Sequence, residues 1–395
     1  MMKRFLVISL MAWRLAGVAY AEAYTMALSK EEYLDKNKGA WAGQMIGVCF
    51  GDIYEFKSNA KPILEPLEPW KPERIHNALM QDDLYVEMTF LKTLEEHGLG
   101  ITCEQAGKAF ADTKYPLWHA NKKGRDNIRA GIMPPMSGHP DNNPHSDDID
   151  FQIEADIFGI LCPGMSQEAQ RLCNIFGRIM NYGDGLYGGM FVAGMYAAAY
   201  FESDNILHVI QEGLRCIPAE STYHQCISDV IRWHAEHPDD WLAVWHKIEE
   251  KWQTDEDCQP NDPVNIDAKL NGAYVVMGLL YGGADMLKTV EITTRCGQDT
   301  DCNASNAAGV LGCMKGYAAL GDHWTGDIDA IRDKPFSFTA HSFDTLIPAC
   351  QQLTEAIILR NGGRVEDENY IILRQPPKAP KTLEQLRRPS WAKTD

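Results

Sequence analysis

The chain is short of positive charge: 37 lysines and arginines stand against 55 aspartates and glutamates, a formal net charge of −18 over 395 residues. That balance argues against nucleic acid or an anionic membrane surface as the main partner. The 11 cysteines are odd in number, scattered, and never form Cys-x-x-Cys, which excludes a disulfide framework and zinc-finger spacing. No His-Glu-x-x-His or Gly-x-Ser-x-Gly occurs, so zinc peptidases and nucleophile-elbow hydrolases find no support. Internal repeats, low-complexity tracts and a convincing linker are missing too. After Ala21 no apolar run approaches the length of a membrane span.

What is present reads as globular, with 45% hydrophobic and 23% charged residues and enough apolar material for a sizeable core. The start has the pattern of an export signal: a basic Met-Met-Lys-Arg, an apolar stretch interrupted by Arg14, and the small-x-small site Ala19-Tyr20-Ala21. Residues 1–21 are therefore expected to be a signal peptide and the protein to be periplasmic or secreted. Helical periodicity dominates the rest. In "DDLYVEMTFLKTLEEHG", Leu84, Met88, Leu91 and Leu94 share one stripe, and Gly98 is a plausible end cap. Residues 185–201 are apolar all round and rich in Gly and Ala, the pattern of a buried central helix. Further helical patterns cover about 206–217, 222–236, 239–252, 265–282, 284–295, 303–320 and 345–360. The one strand candidate is "NYIILRQ" after Asn361-Gly362-Gly363, as part of a small hairpin. Long loops are expected at about 56–80 and 115–148. The expectation is one all-α domain over 22–375 with a tail over 376–395.

Four segments carry candidate chemistry. In "GAWAGQMIGVCFGDIYEF", Gly39, Gly43, Gly47 and Gly51 fall on nearly one helix face, which lets another backbone approach closely. Glycine costs roughly 0.5–1 kcal/mol per helical position relative to alanine, so four in register point to tight packing, and the helix opens into an acidic exit with Asp52 and Glu55. In "QDDLYVEM", Asp82 and Asp83 open a helix; "GQDTDCNASNAAG" sets Asp299 and Asp301 at the start of another. Helix capping accounts for either pair alone. If the two pairs converge, four negative charges need a counter-charge, since burying an unpaired ion is costly. All-oxygen ligation suits Mg²⁺, Mn²⁺ or Ca²⁺. "HSDDIDFQIEADIFG" places Asp148, Asp150, Gln152, Glu154 and Asp156 at alternate positions; a solvated acidic face explains it as well as a binding role for Asp150, Gln152 and Glu154. "NYGDGLYGG" leads into the buried helix, and its amides near Gly183, Asp184, Gly185, Tyr187 and Gly188 can hold a diphosphate or sugar oxygen, or simply form a turn. Trp70, Trp118, Tyr182 and Tyr187 are candidate stacking rings.

"GVCFGDIYE", "QDDLYVE" and "GQDTDCNASNAAGVLG" together, in this order and over roughly 38–320, resemble the ADP-ribosylglycohydrolase family, which includes the enzyme that reactivates dinitrogenase reductase. The resemblance implies an all-α orthogonal multi-helix bundle with a binuclear Mg²⁺ or Mn²⁺ site in a cleft. Position by position, the family's metal ligands fall on Gln81, Asp82, Asp83, Asp299, Asp301 and Cys302, and its acidic loop residue, implicated in catalysis and gating, on Glu55. Glu55, Asp82 and Asp301 are thus the expected catalytic residues. The chain departs from the family where Gln81 and Cys302 replace threonines and Val48 replaces an aspartate. The implied reaction is metal-dependent hydrolysis at the anomeric carbon of an ADP-ribosyl or ribose-like substrate. A secreted glycosidase acting on a furanoside or other glycan, and a non-catalytic ligand-binding member with a degenerate metal site, are the alternatives.

Overall fold

The computed structural model describes residues 24–253 and 264–384. The expected signal peptide, Cys258 and the last part of the tail lie outside them. Among the described residues the helices of eight or more residues are α1 Lys30–Gly51, α2 Asp82–His97, α3 Cys103–Ala111, α4 His119–Arg129, α5 Ser166–Phe176, α6 Asp184–Ala199, α7 Ile206–Leu214, α8 Thr222–Glu236, α9 Trp241–Ile248, α10 Ala268–Gly282, α11 Met286–Arg295, α12 Thr300–Lys315 and α13 Phe343–Arg360. The chain is all-α, as the periodicity indicates. None of these helices is long and apolar enough to cross a membrane.

α1 starts on Ser29, whose side chain accepts the Glu32 amide at 3.0 Å. Its glycine face lies against α12, running antiparallel. A β-carbon added at Gly39 would meet the Gly312 carbonyl oxygen at 2.3 Å; at Gly43, Ala308 O at 2.2 Å; at Gly47, Ala304 O at 2.0 Å; and at Gly51, Thr300 O at 2.2 Å. Each step of four along α1 is matched by a step back of four along α12. The register brings the end of α1 to the start of α12, and the Thr300 hydroxyl fastens the two by donating to Gly51 O at 2.9 Å. The glycines and the acidic exit are therefore one device: close packing delivers the Asp52–Glu55 turn to Asp299 and Asp301. α6, apolar on every side, is almost wholly buried behind this pair.

The hairpin after Gly363 exists, with β2 Arg364–Val365 antiparallel to β3 Asn369–Leu373. A further strand, β1 Thr25–Ser29, pairs antiparallel with β3, so the sheet order is β1-β3-β2. β1 buries only Leu28 and lacks the alternation that marks β3. The expected loop over 115–148 contains α4. That helix is hidden in the sequence because its cap comes from afar: Asp150 accepts the amides of Asn121 at 2.9 Å and Ala120 at 3.2 Å. The loop over 56–80 ends in 3-10 turns from Pro72 to Met80. Residues 376–384 lie along α5, where Gln167 donates to Pro376 O at 2.8 Å. The ten cysteines among the described residues form no disulfide.

Candidate metal and sugar site

Six chain segments converge on a cavity of about 460 Å³ lined by Glu55, Gln81, Asp82, Asp150, Asp299, Asp301 and Cys302, with Phe56, Met80, Tyr85, Trp118, His119, Asn121 and three isoleucines completing the wall. A larger hollow of about 740 Å³ sits at the opposite end of α1, around Lys38, Tyr317 and Arg332; the carboxylate cluster is in the smaller one.

Backbone geometry aims the acids. Gly297 is left-handed at φ +85°, and a β-carbon there would stand 2.2 Å from Ser58 O. Only glycine fits this position, where Gln298 N donates to Ser58 O and Phe56 N donates to Gln298 O. These bonds tie the loop after Glu55 to the turn carrying Asp299. α2 begins at Asp82 with no side-chain cap from Gln81. Asp52, by contrast, is held outside the cavity by Arg74 at 3.3 Å and by Asn77.

Electrostatically the cluster is strained. Burial, then the charges of Asp82 and Asp301, pushes the Asp83 carboxyl well up. Burial carries Asp299 up to about 8, and burial with the charge of Asp299 raises Asp301 well up. Asp82 is raised chiefly by desolvation. Glu55, exposed at the mouth, is raised by desolvation and by Asp82 and Asp52. One oxygen each of Asp83, Asp299 and Asp301 is buried without any hydrogen-bond partner, and no lysine or arginine lines the cavity among the described residues. Ligand atoms of Asp299, Asp301 and Cys302 lie within 4.8 Å of one another. This donor set fits a hard dication: oxygens with free lone pairs, converging, uncompensated. Cys302 is the soft exception. Its thiol lies 3.5 Å from Asp83 Oδ2 as donor, and burial keeps it protonated by pushing its pKa well up.

The remaining sequence candidates divide. Asp150 lines the cavity, yet both its oxygens cap α4. Gln152 and Glu154 are buried behind the wall: Gln152 accepts the Tyr223 hydroxyl at 2.8 Å, and Glu154 accepts the Asn121 amide. The alternating pattern around them forms two short helices, Asp150–Ile153 and Asp156–Ile160, whose acidic side chains are buried rather than a solvated face. The "NYGDGLYGG" turn does not reach the cavity. Gly183 N donates to Glu384 at 3.2 Å, Asp184 accepts from Thr222 and from Tyr223 N at 3.0 Å, and Tyr187 OH accepts from Glu384 N at 2.8 Å. Gly185 and Gly188 pack against Asn181 and Gln152. The turn caps α8 and clasps the chain's last described residue. Of the ring candidates, Trp118 reaches the wall, half exposed at 54%.

His119 and Asn121 carried no sequence signal. His119 belongs to a second compact group, with His145 Nδ1 donating to Asp148 at 2.9 Å and His119 at 3.5 Å from the same carboxylate. Partners 26 and 29 positions away cannot be paired by spacing.

A profile of the ADP-ribosylglycohydrolase family matches residues 29–358. Among solved structures the chain is similar to an ADP-ribosylglycohydrolase-related protein complex, with 13% identity, a TM-score of 0.54, and coverage of 82% of this chain and 98% of that one. At that identity the likeness concerns the fold. No curated protein matches the chain.

Proposed function

We propose a mechanism from one premise: the chain belongs to the ADP-ribosylglycohydrolase family, and is a glycohydrolase of all-α fold. The reaction we assign is metal-dependent cleavage of the glycosidic bond at the anomeric carbon of a ribose-like sugar, the ADP-ribosyl group being the family's namesake. One observation carries this reading: Asp82, Asp299 and Asp301 line one cavity with Asp83 buried beside them, Asp83, Asp299 and Asp301 each keep an orphaned oxygen, and no lysine or arginine lines the wall among the described residues.

Asp82, Asp83, Asp299 and Asp301 would hold one or two Mg²⁺ or Mn²⁺ ions, with Ca²⁺ as the other hard option and Gln81 offering a further carbonyl oxygen. When bound, such ions polarise water and steady developing charge. Glycoside hydrolysis passes through an oxocarbenium-like state and needs a group that gives or takes a proton beside the bond. Glu55 suits that role, because it stands at the mouth and desolvation, with its negative neighbours Asp82 and Asp52, favours keeping its proton to higher pH. Cys302 positions Asp83 through its thiol. Asp150 holds α4, and with it His119 and Asn121, in the opposite wall.

Metal-stripped protein should be inactive and regain turnover with Mn²⁺ or Mg²⁺, and Asp299→Ala should lose both metal uptake and turnover. Hydrolysis that persists after chelation would sink the assignment. Export rests on residues 1–21 alone; finding the mature N-terminus at Met1 would end that part.

A further inference from the structure

Resting on the glycohydrolase reading, we propose that the substrate is a neutral glycoside, seated against Trp118, rather than an ADP-ribosyl group with its diphosphate. A diphosphate is held by cationic side chains or amides at a helix start, and no lysine or arginine lines the wall among the described residues. Its only group able to become positive is His119, which already faces the Asp148 carboxylate. The basic residues nearby are committed elsewhere. Arg74 is bound to Asp52 and to Cys49 O, buried Arg125 to Tyr115 O at 2.7 Å, Lys122 to Asp126 at 2.7 Å, and Arg295 to Ile63 O at 2.9 Å.

Amides at helix starts are the usual substitute for cations, and here those at the starts of α4 and α2 are taken by the chain's own carboxylates. Asp150 fills the start of α4. Asp82 accepts amides at the start of α2, and α12 begins on Asp299 and Asp301. The glycine turn before α6 is closed by Glu384. Glu55, Asp82, Asp150, Asp299 and Asp301 make the wall rich in carboxyl groups, a poor surface for a second anionic group. What the wall adds to its acids is apolar and aromatic: Trp118, Met80, Phe56 and Tyr85. Acceptors for hydroxyl groups beside an exposed indole are the complement of an uncharged sugar, whose C–H face stacks while its hydroxyls donate.

The test uses Mn²⁺-loaded protein and three measurements. Hydrolysis is followed on 4-nitrophenyl furanosides of ribose and arabinose and on ADP-ribosyl-arginine; inhibition is compared for ribose, ribose 5-phosphate and ADP-ribose; and Trp118→Ala and Trp118→Phe are assayed on any furanoside cleaved. Expected are furanoside turnover, inhibition by ribose at least tenfold stronger than by ribose 5-phosphate or ADP-ribose, and a KM raised about tenfold by Trp118→Ala but restored by Trp118→Phe with kcat little changed. Cleavage of ADP-ribosyl-arginine, or tighter inhibition by ADP-ribose than by ribose, overturns the proposal and leaves the glycohydrolase reading standing. Absence of both metal uptake and turnover on every substrate overturns that reading and the proposal with it.

Discussion

Two sets of buried acids lie close together and have opposite fates. Glu87 and Asp156 are sealed in the core, while Asp299 and Asp301 face a cavity. Both sets are raised by burial, Asp156 to about 7 and Asp299 to about 8, so a perturbed carboxyl does not by itself mark a reactive centre. Glu87 accepts the Ile157 amide at 2.8 Å, and Asp156 accepts the Asn306 side chain at 2.8 Å. Each keeps one oxygen unpartnered, but no path leads out. The sealed pair can be neutralised by retained protons; the open set has room for an ion. Access to the cavity, more than charge or depth, separates a structural acid from a chemical one.

That contrast breaks first at Asp301. Asp301→Asn should abolish metal uptake, read by elemental analysis, and cut turnover roughly 10³-fold or more, since a catalytic metal supplies several kcal/mol. Equal loss from Asp156→Asn would erase the distinction. Next, Glu55→Gln should lower kcat by about 10²-fold while metal uptake stays at the wild-type level; loss of the ion would recast Glu55 as a ligand.

Asp156→Asn sharpens the comparison through pH. With its carboxyl raised from the ordinary value near 4 to about 7, the folded state holds a proton that the unfolded chain releases. Its share of stability is therefore full below the unfolded value and is lost as pH rises through the folded one. The variant cannot ionise, so relative to wild type its Tm should gain more at pH 8 than at pH 5, with activity largely kept. A pH-independent difference would argue that Asp156 is already ionised. The smallest effect belongs to Tyr187→Phe. It removes an acceptor for Glu384 N, at a cost of about 1 kcal/mol or less, and kinetic constants should not change. A raised KM would return the glycine turn to the binding site.

The sequence exposed the half of the site built from chain-local patterns. Four-residue glycine spacing, Asp82-Asp83 and Asp299-x-Asp301 are each legible because helix geometry converts spacing into direction. Glu55 and Asp299 come together through the α1–α12 register, also readable as a glycine face, though its partner was not. What stayed hidden depends on distant partners. α4 lacks a local cap because Asp150 supplies it, so His119, Trp118 and Asn121 sat in an apparent loop. "NYGDG" looks alike whether its amides hold a ligand or a neighbouring chain, and Glu384 decides that question from about 200 positions away.

The interlocked faces of α1 and α12 also dictate an order of events during synthesis. Gly39 through Gly51 have no surface to close upon until Thr300 through Gly312 have left the ribosome, and β1 waits longer still for β3. The first helix made is thus among the last to be seated, and a chain interrupted before residue 300 presents a bare glycine stripe to whatever chaperone or protease arrives first.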